Sequence, residues 1–132
     1  ALRLVEWGAL TQGRAGFEPS GVLPLALRWQ AAATPDADYN VGVYLLDAAG
    51  GVVAQRDSQP VNGFRPMTSW RPGEAVLDLH GLALPADLPA GEYRVMLAVY
   101  DWRNVQRLPA AGPAGAFTDD LALLGSIVVV AP

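Results

Sequence analysis

The sequence predicts an all-β chain: an antiparallel sandwich of two sheets and about seven strands. Three observations predict it. The run GEYRVMLAVYD alternates Tyr93, Val95, Leu97 and Val99 against Arg94, Met96, Ala98 and Tyr100, the period of two of a strand with one face on a core. Short runs of this kind recur along the chain, separated by Gly, Pro, Asp and Asn at the spacing of sandwich strands. No stretch has the length and period of an ordinary helix.

In chain order, Leu2 and Leu4, with either Glu6 or Gly8, alternate with Arg3, Val5 and Trp7, a first strand with weak facing preference that fits a sheet edge. Thr11 to Gly21 holds Gly13, Gly16, Pro19 and Gly21 and reads as a loop. Leu23, Leu25, Leu27, Trp29 and Ala31 form the inward set of a second strand, with Pro24 near its start, where a missing N–H is tolerated. After the Thr34-Pro35-Asp36 turn, Tyr39, Val41, Val43 and Leu45 alternate with Asn40, Gly42, Tyr44 and Leu46. Asp47-Ala48-Ala49-Gly50-Gly51 then offers an acceptor side chain and two glycines, a short hairpin into Val52–Arg56. Asp57 to Gly73, punctuated by Pro60, Gly63, Pro66 and Pro72, is a long connection that crosses from one sheet to the other. Ala75 to Leu84 is a strand centred on Leu77 and Leu79, ended by Pro85, and the residues that follow have room for one helical turn before Tyr93. Trp102 to Gly115 reads as a long loop, and Leu121 to Val130 supplies the last strand.

At 132 residues with 52% hydrophobic residues, the chain suits a single domain over 1–132 with one buried core. Thirteen acidic against nine basic residues, all nine of them Arg, give a net charge of −4. Nucleic-acid backbones and anionic membrane surfaces call for a basic patch, so neither is the expected partner. The absence of cysteine excludes disulfides, thiolate metal sites and a cysteine nucleophile. No apolar run approaches the roughly 20 residues of a membrane span, and no charged n-region followed by an apolar run reads as a signal peptide. The domain is expected not to insert into a membrane itself.

Tyr93 opens the penultimate strand just after Pro89, Ala90 and Gly91. That is the position of the tyrosine corner, whose phenol hydrogen-bonds back to the preceding corner in immunoglobulin-like Greek-key sandwiches. The segment PAGEYRVMLAVYD resembles bacterial immunoglobulin-like and fibronectin-like modules. More narrowly, LRWQA, YNVGVYLLDAAGGVVAQRDSQPV and the run from Thr68 to Asp101 resemble the soluble C-terminal domains of Chloroflexus-type glycosyltransferase-like membrane proteins. The resemblance implies a sandwich excised from a longer membrane or cell-surface protein, and carries over no functional residue. Trp102-Arg103-Asn104 departs from it, standing where such domains place a Pro-Gly type turn.

Four tryptophans invite a sugar-stacking platform. Trp29 shares the inward parity of Leu25 and Leu27 and reads as core; Trp7 reads as structural. Trp70 and Trp102, beside Arg71, Arg103 and Asn104, are the candidate ligand contacts, with Tyr100 as a third, against the alternative of an aromatic lid on one end of the sandwich. His80, the sole histidine, reads as a rim residue beside Asp78, and no metal site is expected. Asp119-Asp120, with Asp47, Asp57 or Asp101, lacks the spacing of a calcium loop. One His, no Cys and no GxSxG element leave no visible nucleophilic or acid–base machinery, and no cofactor is implied. The expected function is a non-catalytic accessory or interaction module at the outer face of a membrane, with an unidentified protein or glycan partner. The alternative is a carbohydrate-binding module using the loop aromatics.

Overall fold

A computed structural model describes residues 2–11, 16–112, 115–116 and 121–131. Its strands are β1 (Leu2–Ala9), β2 (Val22–Ala31), β3 (Asn40–Leu46), β4 (Val52–Ser58), β5 (Ala75–Ala83), β6 (Gly91–Asp101), β7 (Gln106–Arg107), β8 (Ala110–Gly112), β9 (Gly115–Ala116) and β10 (Leu121–Val129). Seven of these are long, as expected; β7, β8 and β9 are short pairings within what the sequence reads as one loop.

The back sheet runs β5-β2-β1-β8-β9, and the front sheet runs β10-β6-β3-β4 with β7 beside β6. All pairings between named strands are antiparallel except β1 with β8. The chain changes sheet between β2 and β3, between β4 and β5, between β5 and β6, between β7 and β8 and between β9 and β10; the first three set the core topology. This interlocks the β2–β5 and β3–β6 pairs, the arrangement of an immunoglobulin-like Greek-key sandwich.

The inward sets follow the period of two. Leu23, Leu25, Leu27 and Trp29 of β2 meet Val41, Val43 and Leu45 of β3 and Tyr93, Val95, Leu97 and Val99 of β6 in one core. The corner forms: Tyr93 Oη donates to Pro89 O at 2.7 Å, tying β6 to the turn that feeds it. The β3–β4 hairpin also closes as expected. Asp47 Oδ1 accepts from Ala49 N at 3.0 Å and Gly51 N at 2.8 Å, and Gly50 takes a positive φ of 86° that favours glycine. Between Pro85 and Pro89 a hydrogen-bonded turn from Leu88 N to Pro85 O replaces the single helical turn.

Three expectations are corrected. β1 is not a plain edge strand, because Leu2 and Arg3 pair in parallel with Ala110 and Ala111 of β8. Its ambiguous facing has a cause: a bulge between Leu4 and Glu6 shifts the alternation. Leu2 and Leu4 point inward before the bulge, and Trp7 and Ala9 pack on the core after it.

The second correction is His80 of β5, expected at the rim. The strand has the expected span, but Leu77 and Leu79 are 51% and 55% exposed, while Val76, Asp78, His80 and Leu82 point inward. His80 is therefore no rim residue. It is buried, and Nε2 lies 2.6 Å from Asp78 Oδ2. Asp78 is buried with it and accepts from Trp29 Nε1 at 3.3 Å and from Val61 N at 2.7 Å, so the carboxylate that leaves water is satisfied within the protein.

The third correction is Trp70, which the 57–73 segment, crossing from one sheet to the other as expected, carries into the core. Two 3₁₀ turns, Pro60–Gly63 and Met67–Ser69, place Met67 and Trp70 in the core. Asp38 Oδ1 accepts from Thr68 N and Oγ1, and Thr34 Oγ1 donates to Trp70 O, so the segment is fastened to the β2–β3 connection.

These placements set stabilities that denaturant unfolding can read. Trp29→Ala should lower stability by about 3 to 5 kcal/mol, since it removes a buried indole. Tyr93→Phe should cost on the order of 1 kcal/mol by deleting the corner bond. On β5, Leu82→Ala should cost about 2 to 5 kcal/mol and Leu79→Ser less than about 0.5 kcal/mol; the reverse order would return β5 to the opposite facing.

Candidate functional site

The site is built on the outer face of the front sheet. Parity in β3 turns Asn40, Gly42 and Tyr44 away from the core, and parity in β6 does the same for Ala98 and Tyr100. The registers place Gly42 between Asp57 of β4 and Ala98 of β6, Tyr44 beside Gln55, and Asn40 beside Tyr100, which in turn pairs with Arg107 of β7. Gly42 makes room for the Tyr44 ring above it, and the small Ala98 beside it leaves a hollow on the sheet. Larger side chains surround it, enclosing a concavity of about 480 Å³. Asn40, Tyr44, Gln55, Asp57, Tyr100 and Arg107 form its polar and aromatic walls, and Trp102 and Val105 overhang one end.

Asp57 is the electrostatic centre of this arrangement. Oδ1 accepts from Tyr100 Oη at 2.7 Å and Oδ2 from Gln55 Nε2 at 2.8 Å, while Asn40 Nδ2 reaches Tyr100 Oη at 3.5 Å. Tyr44 lies over Gly42, where a Cβ would collide with the Tyr44 hydroxyl and come within 2.9 Å of Asp57 Oδ1. The glycine is what lets the phenol lie flat on the sheet. Burial is the main cause that raises the Tyr44 pKa above its ordinary value, with the negative Asp57 second. Burial also leads for Tyr100, where the bond from Asn40 opposes the shift and Asp57 adds to it.

Trp102 is held out by a tight loop. Val105 N donates to Asp101 O at 2.7 Å, Asn104 Oδ1 accepts from Gln106 N at 2.9 Å, and Val105 takes a φ of 59°. At the base of the loop, Arg103 Nε and Nη2 contact Asp101 at 3.0 and 2.8 Å, which lowers the Asp101 pKa and raises that of Arg103. The loop is thus a hydrogen-bonded turn, and Trp102 stays 55% exposed.

Of the three aromatic candidates, the structure brings Tyr100 and Trp102 together and removes Trp70. Trp70 is 1% exposed with Nε1 bonded to Arg65 O at 3.0 Å, so neither face is open to a ligand. Trp70 instead packs in the core shared by the two sheets, on the crossing that joins them. Trp29 is core, and Trp7 packs toward Gly125, where a Cβ would come within 2.8 Å of its ring. Among the described residues no group of three His, Cys, Asp or Glu is placed to hold a metal ion. Asp119 and Asp120 lie outside the described residues. Asn40, Tyr44, Gln55, Asp57, Val105 and Arg107 join the site unannounced by any motif; the outward parity of β3 and β6 marked Asn40 and Tyr44, but only the strand order sets β4 and β7 beside them.

No family model and no curated protein matches this chain. Among solved structures, a β-glucuronidase from glycoside hydrolase family 2 is similar over 81% of this chain and 12% of its own, at 10% identity and a TM-score of 0.53. At that identity the likeness shows a shared β-sandwich fold. The narrower resemblance to Chloroflexus-type domains finds no support in these comparisons.

The three perturbed phenols make a pH prediction. Tyr39, Tyr44 and Tyr100 all ionise above the ordinary value of 10.0, Tyr39 chiefly through its bond to Asp36. The folded state holds these protons more tightly than the unfolded one, so the stability they contribute is full below pH 10 and is lost as pH rises through their folded values. Phenolate absorbance should show the delayed ionisation. Asp57→Asn should bring Tyr44 and Tyr100 part of the way back, burial being the larger cause, and leave Tyr39 unmoved.

Proposed function

We propose that this chain is a non-catalytic accessory module that binds a saccharide in the hollow on its front sheet. The observation that carries the reading is the convergence of Trp102, Tyr100 and Tyr44 around Ala98, beside planar polar groups. An exposed indole and a phenol present flat faces to the apolar face of a pyranose, while Asp57, Asn40 and Gln55 offer the in-plane donors and acceptors that hydroxyl groups need. The concavity of about 480 Å³ lies within the range of small-molecule sites. Its lining holds a single carboxylate, Asp57, whereas glycoside hydrolysis ordinarily uses two.

The sandwich fold shared with a glycoside hydrolase is consistent with an accessory role beside a carbohydrate-active or membrane-bound partner domain. In that setting the module stands outside the cytoplasm, tethered through another part of a longer protein.

Calorimetric titration with a panel of neutral and acidic oligosaccharides tests the proposal. One sugar class should bind, and at 100 times its Kd should add about 2.7 kcal/mol to stability. Trp102→Ala and Tyr100→Ala should each weaken it at least about tenfold, or about 1.4 kcal/mol. Trp70→Phe should change stability and leave Kd alone. A panel without binding, or binding that survives both aromatic truncations, sinks the assignment.

A further inference from the structure

β5 ends the back sheet, and the phase of its free side can be read from β2. Pro24 has no N–H, and its carbonyl accepts from Leu10 N at 2.9 Å on the opposite, β1, side. Neither main-chain group of Pro24 therefore faces Gly81, its partner in β5. Such a pair exchanges no hydrogen bonds, so the N–H and C=O of Gly81 point away from β2. Leu84 N donates to Gly21 O at 2.9 Å, which confirms that the even positions face β2. The register runs from Val22↔Ala83 to Gln30↔Ala75 without a shift. The free side thus presents the main-chain groups of Ala75, Leu77, Leu79, Gly81 and Ala83.

The same five residues carry their side chains to the outer face, and all five are apolar. Edge strands are normally blunted by a lysine, a proline, a bulge or an inward charge; β5 has no lysine, proline or bulge, and its inward charge, Asp78, is bonded within its own copy. The Pro60–Gly63 turn meets β5 through the inward carboxylate of Asp78, and among the described residues no backbone bond joins that crossing to the free side.

We infer that β5 is a self-association edge, pairing antiparallel with β5 of a second copy about a twofold axis at Leu79. The sequence of its outer face selects a copy of itself: read in either direction it is small at both ends and leucine at the centre. Full overlap sets Leu79 opposite Leu79, Leu77 opposite Gly81 and Ala75 opposite Ala83, large against small. On the inner face it sets Val76 opposite Leu82 and Asp78 opposite His80. An isologous contact of this kind closes at two copies.

The absence of cysteine allows a direct test. In Leu79→Cys the two sulfurs would sit on Cα atoms about 5.5 Å apart across the axis, within disulfide reach. In Leu77→Cys they would lie roughly 13 Å apart along the strands. Mild oxidation should therefore yield a reducible dimer of L79C and leave L77C monomeric. The unmodified chain should sediment at twice its 13.9 kDa as concentration rises, and Leu79→Lys should return it to one copy with an unchanged melting temperature when dilute. A chain that stays at one copy into the millimolar range, an L79K that still dimerises, or L77C crosslinking as readily as L79C overturns the inference.

Discussion

The fold is tied together at one buried carboxylate. Asp78 leaves water at the centre of β5, where an unsatisfied ion would cost several kcal/mol, and it is retained because three donors from three parts of the chain converge on it. Trp29 Nε1 comes from β2, Val61 N from the crossing and His80 from β5 itself. The contact with Val61 fixes where the crossing turns, at a residue whose φ of 53° is held by its surroundings. That turn in turn allows Met67 and Trp70 to pack in the core shared by the two sheets. His80 completes the group with Nε2 toward the carboxylate, leaving Nδ1 a buried atom without a partner among the described residues.

Most of this fold was legible in the residues because its inward sets are unmistakable on β2, β3 and β6, where one parity is aliphatic and the other is mixed. β5 carries leucines on both parities, Leu77 and Leu79 on one and Leu82 with Val76 on the other, so hydrophobicity does not decide its facing. A polar pair then misleads, since Asp and His are inward only when partners exist, and those partners lie 49 and 17 residues away in the chain. Trp70 fails for a related reason. Its neighbours Arg71 and Pro72 have the composition of a surface loop, but the crossing that joins the two sheets carries Trp70 into the core they share. Tyr100 and Trp102 were readable as exposed aromatics; the hollow they border was not, because it arises from the lateral order of β4, β3 and β6.

That hollow has a physical cost that points to use. Glycine and alanine are poor strand residues at the middle of a sheet, and Gly42 and Ala98 occupy its centre side by side. The sheet gives up cross-strand packing at that spot and lays Tyr44 into the space, where a Cβ at position 42 would block it. Polar walls then concentrate on one carboxylate, Asp57, whose bonds to Tyr100 and Gln55 orient both side chains before any ligand arrives. Preorganised planar groups bind hydroxyls with less loss of side-chain freedom than mobile ones.

The two outer faces are consequently different in kind. The front face is concave, aromatic and polar, and its wall side chains lie outside the Asp78 network, so they can vary without loosening the core. The back face is carried by β5, whose inward side chains belong to that network and whose outward ones are apolar. Because Asp78 and His80 fix the facing of β5, they also fix which residues its edge displays: were Leu77 and Leu79 inward, the edge would offer an aspartate and a histidine instead. The same buried contact that closes the sandwich therefore determines the surface available on its far side.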